Sequence, residues 1–311
     1  MNKPLPLVTV NILTWNRKAD LERLLLSLAR QYYSNLEVII VDNASTDGTS
    51  EMVESKFPWV RLFKLSENSG VGSWNVGFEN ATGEYTLVLD DDCFPEEDAI
   101  RKMVDKFHQD PDVGIIAFRI LDLGTGNYWN SLYTPATDRE LDWFTFAGCA
   151  AGFRTRLIKD IRFPDVFLYE HELEPSIRII DLGYKVRLCP EIKAYHRLPK
   201  DRRQSWKGAY FGTRNDLLFA WKLLPLMTSL RLTLGIILVH GCVALKHRRL
   251  TAYFRGILDA IKRLRSTIKD RTVVGEDAVR AFSPFLDSKK VFSRIRKNAR
   301  AELDQSPGIG Q

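Results

Sequence analysis

Short apolar runs alternate with segments whose apolar residues recur every three or four positions, and this alternation fills the first third of the chain. Residues 7–13 (LVTVNIL) read as a buried strand. Residues 18–32 read as an amphipathic helix with Leu21, Leu24, Leu25 and Leu28 on one face. A second strand follows at 37–41, and Asp47 caps a helix toward Lys56 that Pro58 stops. Residues 60–65 form a third strand, 71–80 a helix and 85–89 a fourth strand. Pro95 opens a further helix to about His108. The repeated strand–helix order predicts an α/β fold, a mostly parallel sheet flanked by helices.

Such sheets bind ligands at the carboxyl ends of their strands. Those ends are Thr14-Trp15-Asn16, Asp42-Asn43, Glu67-Asn68 and Asp90-Asp91-Asp92. Taken singly, Asp42 in VDNASTDGTS is an ordinary turn or cap residue. Four polar ends brought to one edge predict a pocket.

The pattern loosens beyond residue 110. A strand is predicted at 113–120, a turn-rich aromatic stretch at 124–143, and a small-residue loop at 147–153 (AGCAAGF) that would let a substrate approach the backbone. Trp129, Tyr133, Trp143 and Phe144 suit either packing or stacking on a ligand ring. A helix over 175–182 has Pro175 in its first turn and Gly183 at its end, followed by short strands at 184–188 and 192–195. From Ser205 onward the pattern is helical, apolar and basic, and Pro225 breaks or kinks it.

Composition alters this picture little. With 45% hydrophobic and 27% charged residues the chain can bury a core, which excludes global disorder. Much of the net charge of +6 comes from KHRR, KRLR and SRIRKNAR, from Lys246 onward. Such a tail serves as a solvated helix face or meets an anionic surface; no recognised nucleic-acid module accompanies it. The four cysteines show neither a CxxC pair nor zinc spacing, which fits reduced thiols in a cytosolic setting. The amino-terminal stretch lacks a signal-peptide layout. The uncharged run at 232–245 is shorter than the ~20 residues of a membrane span.

Two clusters carry chemistry. VLDDDCFP delivers three carboxylates to a strand tip, where they repel unless solvated or bound to cations. Alternation puts Asp90 and Asp92 on one side, and oxygen ligands suit Mg2+ or Mn2+. EHELEP holds Glu170, Glu172 and Glu174. Pro175 sets the helix start, so Glu172 lies just outside a helix amino terminus whose positive end favours an ionised carboxylate, the form a general base requires.

The runs TVNILTWNR, VIIVDNASTDGT, ENSGVGSWNVGFENATGEYTLVLDDD and FPDVFLYEHELEPSIRIIDLGYKV, with PEIKAYH, resemble glycosyltransferase family 2 and its GT-A fold from about Val8 to His196. Within the family the resemblance is to bacterial rhamnosyl- and galactosyl-type transferases of surface polysaccharides. It implies that Thr14, Asn16 and Arg17 meet the nucleotide, and that Asp42 and Asn43 read a pyrimidine base. Asn68 and Asn75 would line the donor cleft. Asp90, Asp91 and Asp92 match the metal motif, with Asp91 facing the ribose and Asp92 holding Mn2+ or Mg2+ together with His196. Glu172 falls at the base position, counted back from Arg178, where most relatives have Asp; His171 stands where many have a first acid. The stretch TRND from Thr213 resembles one that follows the catalytic domain in these enzymes.

The resulting expectation is a GT-A domain at 1–204, with a nucleotide half to about 110 and an acceptor half after it, then a basic helical region at 205–311. The expected activity is inverting, metal-dependent transfer from a UDP- or dTDP-sugar to a glycan or lipid-linked glycan. The expected place is the cytoplasm or the inner face of the cell membrane, and the carboxyl-terminal helices would touch membrane or form a homodimer interface. Two alternatives are a nucleotide-sugar nucleotidyltransferase and a non-catalytic scaffold. The first strand ends in TWNRKAD, without the glycine-rich loop the former resembles.

Overall fold

Strands of valine, isoleucine and leucine occupy the middle of the first unit, Met1–Lys200. The structure is a computed structural model that describes residues 5–197 and 205–287. The chain runs β1 (Val8–Thr14), α1 (Lys18–Leu28), β2 (Leu36–Asp42), α2 (Thr49–Lys56) and β3 (Arg61–Lys64). It continues through α3 (Trp74–Asn80), β4 (Tyr85–Asp90), β5 (Cys93–Pro95), α4 (Ala99–Gln109), β6 (Val113–Asp122) and β7 (Leu141–Trp143). Then come β8 (Ala150–Arg154), α5 (Thr155–Ile161), α6 (Leu173–Asp181) and β9 (Lys185–His196).

The sheet order is β3-β2-β1-β4-β8-β6-β9-β5, with β7 paired to β9. The strands β3, β2, β1 and β4 are parallel, so their carboxyl ends share one edge. Thr14 is level with Asp42, and Leu13 with Asp90. The later half is mixed: β8 runs antiparallel to β4 and β6, while β6 and β9 are parallel. Val8, Val10 and Ile12 of β1 pack with Leu21, Leu24 and Phe107 on one face, and Trp74, Phe78 and Phe153 fill the other.

Three sequence expectations change. The first helix ends at Leu28 rather than Tyr32, because the next residues find tertiary partners. Tyr32 N donates to Glu97 O at 2.9 Å, and the Tyr33 hydroxyl donates to Pro6 O at 2.5 Å. Pro95 does not open a helix; it lies in β5, antiparallel to the end of β9, and α4 starts at Ala99. An edge strand tolerates a residue with no N–H to donate. The two short strands at 184–188 and 192–195 are one strand, β9, whose pairing with β6 jumps from Cys189 to Lys193. Pro190 sits in that irregularity and has no ladder hydrogen bond to give.

Residues Asp201–Gln311 form a second unit. A π-type turn (Gly208–Gly212) leads into α7 (Thr213–Leu223), α8 (Leu226–Lys246), α9 (Leu250–Lys269), α10 (Glu276–Ala281) and α11 (Ser283–Leu286). Pro225 separates α7 from α8, and the Ser229 hydroxyl donates to Ala220 O at 2.8 Å across the break. With its 21 residues and mean hydropathy of 1.7, α8 is by length and composition apolar enough to cross a membrane. It is longer than the uncharged run because the helix begins before Arg231. The basic run SRIRKNAR lies outside the described residues.

Candidate functional site

Each parallel strand hands its last residue to the same edge, and the loops beyond are tied together by side chains. Asn16, in the left-handed region at φ 53°, accepts from Thr46 N at 2.7 Å, and its own N donates to the Ser45 hydroxyl at 2.9 Å. Asp47 accepts from Lys18 N and from Thr49 N, both at 3.1 Å, and so ties the starts of α1 and α2 together; the cap of α2 is Gly48, not Asp47 as expected, because the left-handed turn there suits glycine. These bonds couple the β1 and β2 loops into one rim.

The residues named from the sequence separate into two groups. Asp42 is buried and accepts from Ser45 N at 2.9 Å and from the Ser50 hydroxyl. The Asn43 amide is also buried. Its oxygen accepts from Ser69 N at 3.0 Å and from the Ser73 hydroxyl at 3.1 Å, and its nitrogen donates to Gly70 O at 3.1 Å. Asn68 accepts from Gly70 N at 3.0 Å. Asn75 is bonded at both ends to the backbone of Phe163, at 2.9 and 2.8 Å. This first group shapes the rim, with the side chains of Asp42, Asn43 and Asn75 engaged by the protein and the Asn68 oxygen held by Gly70.

The second group converges. Thr14 donates to Asp91 at 2.7 Å, and Arg17 donates to Asp92 at 2.8 Å. His196 Nε2 lies 3.0 Å from Asp92 and 3.4 Å from Asp90. The register that pairs Cys93 with His196 brings the end of β9 beside the β4 tip. One ligand atom from each of Asp90, Asp92 and His196 lies within 4.8 Å of the others. Burial opposes the charge on Asp92, yet His196 and Arg17 hold its carboxyl below the usual range. Burial, with Asp90 and Asp92 alongside, pushes Asp91 up to about 7 despite its bond from Thr14. Burial also opposes protonation of His196, but Cys149 and the two carboxylates outweigh it and push the ring up to about 11.

Glu172, the residue just before α6, is 2% exposed. Its Oε1 accepts from Gly148 N at 3.3 Å. Its Oε2 is buried with no hydrogen-bond partner among the described residues, 3.5 Å from His171 Nδ1. The His171 ring packs against Trp74 and Phe163, with centroids 5.4 and 5.3 Å away. Tyr169 and Glu170 adopt φ of 67° and 59°, and the Tyr133 hydroxyl donates to Glu170, holding this tight approach to α6. The segment 147–150 links the two sides. Gly148 donates to Glu172, while its neighbour Cys149 accepts from Asp90 N at 3.0 Å.

Sequence reasoning missed the pairing of Arg17 with Asp92 and the roles of Gly148, Tyr133 and His171. A glycine beside a buried acid was the available signal. A Cβ on Gly148 would lie 2.4 Å from His171 Nε2 and 2.9 Å from Glu172 Oε1. The close approach that this loop permits is therefore made by the protein's own side chains. Gly148→Ala is expected to lose about 1–3 kcal/mol of stability through overpacking, measured by denaturant unfolding. An unchanged midpoint would show that the loop yields. Of the aromatic candidates, Phe144 is buried and Trp143 Nε1 donates to Leu132 O at 3.0 Å, so both serve packing.

A four-stranded parallel half is joined to a mixed half, with an acidic–imidazole cluster at the shared edge, and this arrangement is a GT-A fold. Residues 9–162 match the family model described as "Glycosyl transferase family 2", and the chain carries a glycosyltransferase domain of that family and is a transferase. It is 29% identical over 206 residues to an uncharacterized glycosyltransferase of Haemophilus influenzae, covering 56% of this chain and 80% of that protein. It is 22% identical over 223 residues to the poly-beta-1,6-N-acetyl-D-glucosamine synthase of Staphylococcus aureus, covering 64% of this chain and 52% of that one. The chain thus spans about half the length of that synthase. Among solved structures, S. aureus TarS 1-349 in complex with UDP-GlcNAc superposes with a TM-score of 0.62 at 16% identity, over 95% and 92% of the two chains. The mannosyltransferase PcManGT of Pyrobaculum calidifontis, in complex with GDP-Man and Mn2+, gives 0.56 at 22% identity, over 93% and 88%. At these identities the likeness concerns the fold.

Proposed function

We propose that the chain transfers a sugar, with inversion, from a UDP- or dTDP-linked donor to a hydroxyl of a glycan or lipid-linked glycan, using Mn2+ or Mg2+. The observation that carries this reading is the arrangement around residues 147–150: the Asp90–Asp92–His196 cluster on one side and the unpartnered Glu172 oxygen on the other. The nucleotide-sugar complexes of TarS and PcManGT support a donor of that class, the Mn2+ in PcManGT supports a cation, and the S. aureus synthase supports a glycan acceptor.

The donor set fits a divalent cation. Two carboxylates and one imidazole converge, and the imidazole tilts the choice toward Mn2+. Asp90, Asp92 and His196 would hold it, and when bound it would supply positive charge beside a departing diphosphate. Arg17, half exposed and bonded to Asp92, presents a second cation to the donor phosphates. Asp91, held by Thr14, would face the ribose. Gly148 N fixes one Glu172 oxygen, leaving the other to accept the proton of the acceptor hydroxyl. As that O–H bond breaks, the oxygen bonds to the anomeric carbon, and the old C–O pair leaves with the diphosphate. One base and one displacement give inversion.

A thermal-shift panel of UDP, dTDP and GDP, each with and without Mn2+, tests the reading. Stabilisation of several degrees by UDP or dTDP, only with Mn2+, is expected. No shift with any nucleotide would overturn it.

A further inference from the structure

Two helices of the second unit turn apolar stripes outward. On α8 the exposed residues Met227, Leu230, Leu234, Leu238 and Leu245 follow helical spacing along one face. On α9 the exposed Leu250, Phe254, Leu258, Ile261 and Ile268 do the same. The opposite sides are committed elsewhere: Leu232, Ile236 and Val239 of α8 are buried, as are Tyr253, Gly256 and Ala260 of α9. Polar bonds fix this orientation. The Thr213 hydroxyl meets His240 Nδ1 at 3.0 Å, Trp221 Nε1 donates to Thr233 at 3.1 Å, and Asp259 takes Arg214 at 3.2 Å and the Tyr210 hydroxyl at 2.8 Å. This is what the TRND stretch does: it anchors the inner sides of α8 and α9. Neither helix can roll its stripe inward without breaking these bonds.

The charge around the stripes has one sign. Residues 226–269 contain nine Lys and Arg and a single acid, Asp259, already paired with Arg214 and Arg263. Residues 201–311 together hold 22 Lys and Arg against 9 Asp and Glu, a surplus of 13. A matching surface must therefore be negative at its face and apolar beneath.

We propose that the outward stripes of α8 and α9 dock on an anionic phospholipid surface, lying in the interface with their basic residues among the headgroups. An interfacial position follows from the one-sidedness: the inner face of α8 packs on α7 and α9, whose charged residues would have to enter the hydrocarbon with it, and α8 itself carries the exposed Arg231. A second copy meeting the stripes with its own stripes would bring the same positive charge to the contact and be repelled. The proposal goes beyond the transfer reading, because the second unit alone carries it.

Co-sedimentation of the full chain, without nucleotide, with phosphatidylcholine vesicles and with phosphatidylcholine–phosphatidylglycerol vesicles tests it. Binding about tenfold or more stronger to the anionic vesicles, weakened by salt, is expected. The paired change Phe254→Ser and Leu258→Ser should weaken it about tenfold with the melting temperature unchanged, since both side chains are exposed. Failure to sediment with anionic vesicles overturns the proposal, as does equal sedimentation of the double variant. So does a dimer in light scattering that the double variant dissolves, which would make the stripes a self-contact. None of these outcomes bears on nucleotide binding or transfer.

Discussion

Glu172→Gln is expected to lower transfer about 10³-fold while nucleotide-dependent thermal stabilisation stays intact. The replacement keeps the shape of a side chain that is 2% exposed and keeps the oxygen that accepts from Gly148 N. It removes only the capacity of the second oxygen to take a proton. Product formation from labelled donor, run beside a Mn2+–UDP melting curve, separates the two effects. If the variant transfers at the rate of the parent, the base is another group, and the geometry around Gly148 is packing alone. If nucleotide stabilisation is lost as well, the substitution has disturbed the site as a whole.

Asp92→Asn should weaken Mn2+ binding and remove most of the activity, a loss of about 10²–10³-fold. Asp92 meets both Arg17, at 2.8 Å, and His196, at 3.0 Å. Neutralising it takes the counter-charge from Arg17 and removes one of two carboxylates from the candidate metal cluster. Calorimetric titration of Mn2+, alone and with UDP, reads the outcome directly. Mn2+-dependent UDP binding equal to that of the parent would place the cation elsewhere and sink the assignment.

Between them these variants probe opposite sides of residues 147–150, and the sequence was unequal in revealing those sides. The β4 tip was legible. An apolar run followed by three aspartates has few alternatives; Asp90 and Asp92 do come together with His196, but through the turn that follows β4 rather than through strand alternation, since β4 ends at Asp90. Glu172 was legible from Pro175, which fixes where a helix can begin. The site residues that spend their polar atoms inside the protein were harder to read. Asn75 reaches Phe163 across 88 positions of chain, and Asn43 stitches residues 69–73 to the β2 loop. A side-chain amide looks the same in sequence whether it points at a ligand or at a carbonyl. The error at Pro95 has the same origin. Its local preference for a first helical turn is weak, and the edge of β9, nearly a hundred residues later, offered pairing that outweighed it.

By itself the sequence determined the repeating strand–helix order, the burial of the central strands, the polar ends on one edge and the break at Pro225. These depend on side-chain period and on the fixed geometry of proline, which operate within a few residues. Tertiary structure alone decided that Arg17 sits on Asp92, that His196 meets the β4 carboxylates, that Gly148 holds Glu172, and that the stripes of α8 and α9 face outward. Each of those outcomes depends on which distant group arrives within hydrogen-bond or packing distance, and short-range pattern carries no record of that.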